Sequence, residues 1–398
     1  MSDQLVVVGG GPAGMLAGLL FARAGVRVRV LEKHADFFRD FRGDTVHPST
    51  MEILDQLGML GRFLERPHER LERAQIRLAG RDWMIGDLTH LRTPAPFIAM
   101  MPQWDFLDFL RDEAAAFPPF ALEMKAEVTG FCEEAGRIVG VTLKDGRTLR
   151  AELVIAADGR SSLVRGAGLL SVESLGAPMD VLWFRIDKLD PVGEALRGSV
   201  EPGRMVVLID RRSYWQVAYL VAKGTAEAVR ARGLDWIAHE VAAAFPDLRF
   251  GERPIKSLDD LHLLTVELDR LTCWHRPGLL AIGDAAHAMS PIGGIGINLA
   301  IQDAVAAANA LAGPMADGRD VDGLLGAVEA KRRRPTRLVQ AGQKLAQDRI
   351  VDWVLAGEPI TRAPLVMRLL DRFALLRRIP GRLIGLGLWR ERVRSPVA

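Results

Sequence analysis

Two hydrophobic patterns alternate along much of the chain. Residues 5–8 and 278–282 are continuous apolar runs, a pattern typical of parallel strands buried on both faces of a sheet. Segments with a helical repeat follow such runs, for example Ile297, Ile301 and Val305 on one face of a predicted helix. This order of strand and helix predicts an α/β fold with a parallel sheet.

The pattern changes between residues 168 and 276, where apolar residues recur with a period of two. Residues 205–221 predict two strands joined by a turn at 211–213, and the second strand places Trp215, Val217, Tyr219 and Val221 on one face. Further strands are predicted over 180–187 and 261–268. This region therefore predicts a separate β-sheet, and the chain after residue 331 is predicted to be helical.

Composition indicates a globular protein larger than one ordinary domain, with 398 residues, 49% of them hydrophobic. Its two cysteines, Cys132 and Cys273, lack the spacing of a metal site and are interpreted as buried or incidental thiols in a reducing compartment. We predict no metal, no signal peptide, no membrane-spanning segment and a cytoplasmic location.

Charge is unevenly distributed along the chain. The last 68 residues hold 16 Lys and Arg against 5 Asp and Glu, whereas the whole chain carries only +2. Such a tail could contact acidic lipid or nucleic acid. The favoured interpretation is that arginines coat helices packed on an acidic body, and peripheral membrane contact is the less favoured alternative. No nucleic-acid-binding module is recognisable.

Residues 5–33 carry the first strong motif, a strand, a glycine turn, a helix and a second strand. Gly9, Gly11 and Gly14 form G-x-G-x-x-G between the first strand and the helix, as a bound pyrophosphate requires. The helix start offers free N–H groups to phosphate, and Glu32 can accept from ribose hydroxyls. Dinucleotide binding follows, with NAD, NADP and FAD all possible.

Two more strand ends carry polar residues. Asp158-Gly159 follows a buried strand and precedes a predicted helix, an arrangement that also suits a simple turn with an N-cap. Asp284 ends the strand at 278–282 and precedes a glycine-rich helix start at 293–296. Open α/β sheets bind ligands at such carboxyl ends. His287 is interpreted as a packed neighbour rather than a base.

Taken in this order, the three segments resemble those of the FAD-dependent aromatic hydroxylases, the para-hydroxybenzoate hydroxylase-like (group A) flavoprotein monooxygenases. The resemblance covers nearly the whole chain. It implies an α/β fold in which an FAD-binding Rossmann-like domain carries an inserted β-sheet substrate domain and a helical C-terminus. The implied divisions are 1–70, 97–168 and 276–330 for FAD, 71–96 and 169–275 for substrate, and 331–398 for the C-terminal helices.

The resemblance also implies site residues. FAD contacts are implied for Gly9, Gly11, Pro12, Ala13, Gly14, Glu32, Lys33, Arg42, Gln103, Val128, Asp158, Asp284, Gly294, Gly296, Ile297 and Asn298. Candidates for the pocket beside the flavin ring are His47, Trp215, Tyr219 and Pro291. The cofactor, rather than a side chain, is expected to carry the chemistry.

The implied activity is hydroxylation of an aromatic or polyketide-like small molecule, with molecular oxygen and transient NADH or NADPH, through a flavin C4a-hydroperoxide. A reductase of an isoprenoid or related substrate stays open as an alternative on the same scaffold. A halogenase is disfavoured because Trp183, Trp215 and Trp236 do not form the W-x-W-x-x-P signature. A non-enzymatic flavin-holding partner that docks through its basic tail is the third class.

Overall fold

The structure is a computed structural model, and it describes residues 3–38, 45–189, 195–251, 255–356 and 363–398, without the side chains of 350–356. Among these residues twenty strands are found: β1 (Asp3–Val8), β2 (Val28–Glu32), β3 (Thr45–Val46), β4 (Glu69–Leu71), β5 (Arg73–Leu78), β6 (Arg81–Asp87), β7 (Ile98–Met100), β8 (Phe120–Met124), β9 (Val128–Glu134), β10 (Arg137–Leu143), β11 (Thr148–Ala156), β12 (Val172–Ser174), β13 (Met179–Asp187), β14 (Leu196–Glu201), β15 (Arg204–Asp210), β16 (Tyr214–Ala222), β17 (His262–Leu264), β18 (Asp269–Leu271), β19 (His275–Arg276) and β20 (Leu279–Ala281).

The same residues form eleven α-helices: α1 (Pro12–Arg23), α2 (Pro48–Gln56), α3 (Leu60–Leu64), α4 (Gln103–Ala114), α5 (Leu163–Gly166), α6 (Ala226–Arg230), α7 (Leu234–Ala244), α8 (Gly296–Ala316), α9 (Asp322–Ala356), α10 (Leu365–Arg372) and α11 (Ala374–Leu386). Short 3₁₀ turns occupy Leu258–Asp260, Gly283–Ala285 and Ile292–Gly294.

The main sheet has eight strands, with β19, β20, β11, β1, β2 and β8 side by side and the β9–β10 hairpin extending from β11. From β20 to β8 all neighbours are parallel. In register, Val8 lies opposite both Leu31 and Ala156, and Ala156 lies opposite Ala281. The predicted α/β fold is confirmed, and the five parallel strands end at one edge of the sheet.

A second sheet of seven strands has the order β17, β13, β16, β15, β14, β5 and β6. The predicted hairpin is confirmed as β15 and β16, and the predicted strand over 180–187 is confirmed as β13. The strand predicted over 261–268 is shorter, since only His262–Leu264 pairs with β13. All seven strands come from 73–87 and 179–264, while the exact domain boundaries stay a prediction.

Helices α8 to α11 complete the fold. Helix α8 packs beside α1 and α9, and α10 and α11 pack on β6. In the described part of the chain one helical stretch, Ile292–Ala316, is long and apolar enough to cross a bilayer by length and composition. It is mostly buried inside the protein and carries the buried Asp303, as the core helix of a folded domain does.

Candidate functional site

The sheet register brings the three sequence motifs together. Gly9, Glu32, Asp158 and Asp284 follow or end the strands β1, β2, β11 and β20, which are neighbours in the sheet. The start of α8 joins them, because a β-carbon on Gly283 would lie 3.1 Å from the β-carbon of Ala300 in α8. Ligands of open α/β sheets bind at this edge.

The glycine loop has the form of a pyrophosphate cradle. Gly9 has a φ of 106°, and a β-carbon on it would lie 2.5 Å from the carbonyl oxygen of Ala157. A β-carbon on Gly14 would overlap the carbonyl oxygen of Gly9, so only glycine lets α1 approach β1 this closely. Gly11 faces open space instead. Helix α1 begins at Pro12 with no side-chain cap and no acid in its first turn, so its N–H groups are available to an anion.

The Glu32 carboxylate is held beside this loop by backbone donors. Its Oε2 accepts from the N–H of Gly10 at 3.0 Å, and its Oε1 accepts from the N–H of His34 at 3.0 Å. The β9 strand begins next to it at Val128, since the N–H of Ala126 donates to the Glu32 carbonyl. Lys33 is exposed. This edge can therefore hold a ribose and a flat base.

Asp158 is the most deeply placed carboxylate of the cluster. Its Oδ2 accepts from the N–H of Leu163 at 2.8 Å, whereas its buried Oδ1 has no partner among the described residues. Burial raises the pKa of Asp158, although hydrogen bonds from Ser162 and Leu163 oppose this. The turn-and-cap interpretation is partly right, because Ser162 caps α5. The turn and the cap do not account for Asp158 Oδ1, which is buried without a partner among the described residues and requires a hydrogen-bond donor.

Asp284 lies between an arginine and the start of α8. Its Oδ2 is 3.3 Å from Nη2 of Arg160, and both side chains are about one-third exposed. A β-carbon on Gly296 would lie 4.0 Å from Asp284 Oδ1. Arg165 supports the turn from below by donating to the carbonyls of Asp284 and Ala285. Sequence reasoning missed both arginines, although they follow Asp158 in the same segment.

The start of α8 is bound to the segment before α2. Thr45 Oγ1 donates to the Gly294 carbonyl at 3.0 Å. Asn298 Oδ1 accepts from the N–H of His47 at 3.0 Å and from Thr50 Oγ1 at 2.8 Å. Asn298 therefore links the start of α8 to the segment before α2. The side chain of Asn298 is 4% exposed, and its Oδ1 already accepts these two hydrogen bonds. A contact between Asn298 and FAD stays a prediction.

His47 is fully buried where α11 covers this link. Its Nδ1 lies 2.8 Å from the Ile384 carbonyl, so Nδ1 carries the proton and donates, and Nε2 is left as an acceptor without a partner among the described residues. Burial lowers the pKa of His47 to about 4, and the bond to Ile384 opposes this only in part. His47 is therefore a neutral hydrogen-bond acceptor at physiological pH.

His287 has the structural role that was favoured. Its Nε2 lies 2.6 Å from Asp303 Oδ2, and Asp303 Oδ1 accepts from Arg332 Nε at 2.8 Å. All three are buried. Burial alone would raise the pKa of Asp303, but His287 and Arg332 hold it below its usual range. Asp303 also accepts from the N–H of Gly283, so this cluster supports the Asp284 turn from inside.

The prediction that Trp215 and Tyr219 line the pocket is wrong. Both share one face of β16, as predicted, but that face is covered by α7, where they pack with Ile237, Val241 and Phe245. Their exposed fractions are 1% and 2%. The alternation of apolar residues in the sequence predicts that Trp215 and Tyr219 share a face of the sheet, but it does not determine which face of the sheet is turned to the cofactor.

The opposite face of the same sheet is the one that meets the α8 start. Val181, Ala218 and Leu220 form its core there, and Ile292 and Trp183 pack against them. Trp183 also packs against the cluster that contains Leu386 at the end of α11, and its buried Nε1 has no partner among the described residues. Sequence reasoning named Trp183 only for the halogenase signature.

The remaining candidates are placed as follows. Gln103 begins α4, Pro291 precedes the turn Ile292–Gly294, and Ile297 packs on the core from the first turn of α8. All three are half-buried. Arg42 lies outside the described residues. Neither cysteine is buried, contrary to one of the two interpretations, since Cys132 is half-buried and Cys273 is exposed.

Cys273 does have neighbours that its spacing in the sequence did not predict. Ligand atoms of Cys273, His275 and Glu329 lie within 4.8 Å of one another. The carboxylate of Glu329 already accepts from the N–H of Trp274, from His275 Nδ1 and from Arg333. Its oxygens therefore have protein partners, and the cluster is explained by these hydrogen bonds.

The strand-end site suits FAD on three observations. The glycine loop leaves open space at Gly11 in front of an uncapped helix start, Asp158 has a buried oxygen without a partner, and α8 offers a second uncapped helix start beside Asp284. A pyrophosphate, a polyhydroxyl chain and an electron-poor ring that becomes anionic require these features in this order. Fold and site together define a flavin-dependent oxidoreductase.

Comparison with known proteins agrees with this class. Residues 3–342 match the family model of the FAD binding domain. The 6-methylpretetramide 4-monooxygenase of Streptomyces rimosus is 32% identical over 385 residues, which cover 93% of this chain and 92% of that protein. The chain therefore belongs to the FAD-binding-domain family of monooxygenases, and it is an FAD-dependent oxidoreductase.

Two solved structures show how widely the fold is used. The p-nitrophenol 4-monooxygenase of Pseudomonas putida DLL-E4 has a TM-score of 0.75 at 22% identity and covers 97% of this chain and 95% of its own. A Diels-Alderase in the biosynthetic pathway of pyrroindomycins has a TM-score of 0.79 at 20% identity, with 98% and 82% covered. At these identities the likeness concerns the fold alone.

Proposed function

We propose that the protein hydroxylates an aromatic or polyketide-like small molecule, driven by NADH or NADPH and molecular oxygen. The observation that carries this proposal is the apolar sheet face with Val181, Leu220 and Trp183, which packs against Ile292 beside the start of α8. A flat, apolar substrate fits between such a face and a flavin ring. The relative with 32% identity is named for a polyketide substrate, which favours that class.

The proposed roles follow from the contacts described above. The glycine loop with Pro12 and Ala13 binds the pyrophosphate, Glu32 the ribose, and Val128 the adenine. The Asp284 carboxylate accepts a hydrogen bond from the ribityl chain. The unpartnered Oδ1 of Asp158 accepts a hydrogen bond from the cofactor. The backbone of Gly294 and Gly296 faces the flavin ring. FAD, when bound, supplies the redox and oxygen chemistry.

The protein's own part is to orient the substrate and exclude water. Trp183 Nε1 is a donor and His47 Nε2 an acceptor, each without a partner among the described residues, so Trp183 is proposed to bind a carbonyl of the substrate and His47 a hydroxyl. His47 is a poor base for a phenol because its pKa is about 4, so it orients the hydroxyl rather than removing its proton. Helix α11 covers His47 through the Ile384 carbonyl, so it is proposed to shield this end of the site from water.

The experiment is a turnover assay with phenols, quinolones and polyketide aromatics. Slow NAD(P)H oxidation should rise at least about tenfold with the right aromatic, a barrier change near 1.4 kcal/mol. Product formed under ¹⁸O₂ should gain one labelled oxygen. Product formed without oxygen would establish the isoprenoid-type reductase instead, and bound FAD without any turnover would favour the docking protein. Cytoplasmic location stays a prediction.

A further inference from the structure

The two helices α10 and α11 and the residues after them expose many large apolar side chains. The members of this C-terminal apolar face have exposed fractions from 36% to 69%, and they are Leu365, Val366, Leu369, Phe373, Leu375, Leu376, Ile379, Leu383, Leu388 and Trp389. A monomeric protein rarely leaves so many apolar side chains together in water. Apolar patches of this kind are typical of interaction surfaces.

The face arises because both helices turn their apolar side away from the protein. In α11, a β-carbon on Gly381 would overlap the backbone carbonyl of Asp87, so glycine faces β6. Leu375, Ile379 and Leu383, spaced by four, point outward instead. Ordinary surface helices bury this stripe against the core. Here the stripe has no cover among the described residues.

Exposed arginines alternate with these apolar residues. Arg368, Arg372, Arg378 and Arg382 are all exposed. The one acid in α10 and α11 is Asp371, which faces the body, where it pairs with Arg81 at 2.7 Å. The outward side of the two helices is therefore apolar and cationic without a compensating carboxylate. The expected packing is present, since α10 and α11 pack on β6, but the outward side that carries the arginines also exposes an apolar stripe.

A basic cleft of about 450 Å³ adjoins the end of α11. Its charged lining consists of Lys331, Arg382, Arg390, Glu391, Arg392 and Arg394. Glu391 pairs with Lys331 at 2.5 Å, and Arg390 pairs with Glu52 on α2. Arg382, Arg392 and Arg394 have no acidic partner among the described residues. None of the strand-end residues lines this cleft, which has the charge and form to bind a phosphate group.

We propose that the C-terminal apolar face and the adjoining cleft dock the protein on an anionic phospholipid surface. The apolar side chains enter the boundary of headgroups and acyl chains, the arginines contact phosphates, and the cleft takes one headgroup. The positive charge of the face favours an anionic membrane over a second copy of the protein. A second copy bound face to face would oppose four arginines with four arginines, whereas an anionic membrane neutralises them.

The test is flotation of the FAD-loaded protein with lipid vesicles. Protein should float with vesicles that contain about 30% phosphatidylglycerol and stay behind with pure phosphatidylcholine. About 0.5 M NaCl should weaken binding, since salt screens exposed charges. Leu375→Ser/Ile379→Ser should lower the partition coefficient at least about tenfold, and Arg378→Glu/Arg382→Glu should abolish the preference for anionic lipid.

Matched variants elsewhere serve as controls. Val172→Ser/Leu263→Ser changes two apolar side chains with 42% exposure, and Lys144→Glu/Arg147→Glu reverses two exposed charges. Both should bind vesicles like the parent, and all variants should retain FAD. The proposal fails if the parent ignores anionic vesicles or if the controls lose binding equally. It also fails if light scattering shows a dimer that Leu375→Ser/Ile379→Ser dissociates, because the face would then be a self-interface.

Discussion

At the scale of single residues, His47 has the environment with the clearest energetic consequence. It is buried, neutral and bonded to the Ile384 carbonyl, and its pKa falls to about 4 from the ordinary 6.5. Unfolding exposes it to water, where it binds a proton below pH 6.5. The unfolded state thus binds more protons between pH 6.5 and 4, and stability must fall as pH drops through this range.

We expect His47 to account for about 3 kcal/mol of stability that is present above pH 6.5 and lost near pH 4. His47→Gln should lower stability at pH 7 and remove this part of the pH dependence. Urea unfolding at half-unit pH steps measures both effects. His239→Gln, at an exposed site on α7, should leave the slope of the parent. A parent slope retained by His47→Gln would show that His47 is already charged when folded.

At the scale of elements, the face of the sheet on which a side chain lies determines whether it packs in the core or is placed to contact substrate. Residues of β13 and β16 alternate between a face covered by α7 and a face that meets the start of α8. Trp215 lies on the first face and Trp183 on the second. Their chemistry is identical and their strands are paired, so their roles differ only through the side of the sheet.

Substitution of the two tryptophans should therefore separate stability from catalysis. Trp215→Ala removes a large side chain from the core and should cost about 3–5 kcal/mol of folding free energy, with little change in product per NAD(P)H. Trp183→Ala should lower kcat/KM about tenfold and divert NAD(P)H consumption to hydrogen peroxide. Peroxide and product are counted together with denaturant stability. If Trp215→Ala, and not Trp183→Ala, diverted NAD(P)H consumption to hydrogen peroxide, the substrate pocket would lie on the sheet face that α7 covers.

At the scale of the whole molecule, FAD would join segments that are far apart in the chain. Gly9, Glu32, Asp158 and Asp284 meet only because β1, β2, β11 and β20 are neighbours. A ligand that binds this assembled edge binds the folded state alone, so it must stabilise the fold by mass action. The gain reports the affinity of the site independently of turnover.

At a free FAD concentration one hundred times Kd, the parent should gain about 2.7 kcal/mol over its apoprotein. Asp284→Ala removes a charged acceptor, a loss of about 1.5–3 kcal/mol, so affinity should fall roughly ten- to a hundredfold. Its gain at the same FAD concentration should be about 0.4–1.4 kcal/mol. The substitution also removes the ion pair between Asp284 and Arg160, which changes the stability of the apoprotein. We therefore measure the FAD-dependent gain in stability relative to each variant's own apoprotein. An undiminished gain would mean that the carboxylate does not contact FAD.

Much of this molecule was determined by local sequence. Buried parallel strands are continuous apolar runs, and a glycine loop between strand and helix has few other uses, so β1, α1 and β20 were predictable in type and place. The β15–β16 hairpin followed from its period of two. Family resemblance then connected Asp158 and Asp284 with one cofactor, because three motifs in this order are specific.

Only the tertiary structure decided which side of each element meets the rest. A period of two groups Trp215 with Tyr219 but is symmetric between the two faces of a sheet, so the sequence alone does not show that α7 covers the face that carries them. The bond from His47 to Ile384 joins residues 337 positions apart, and no local pattern encodes it. The excess of arginines after Lys331 is plain in the sequence, yet their place beside an outward apolar stripe depends on Gly381 of α11, which lies against the backbone of Asp87 in β6. Local sequence specifies which elements form, whereas long-range packing specifies which of their surfaces are left to bind something else.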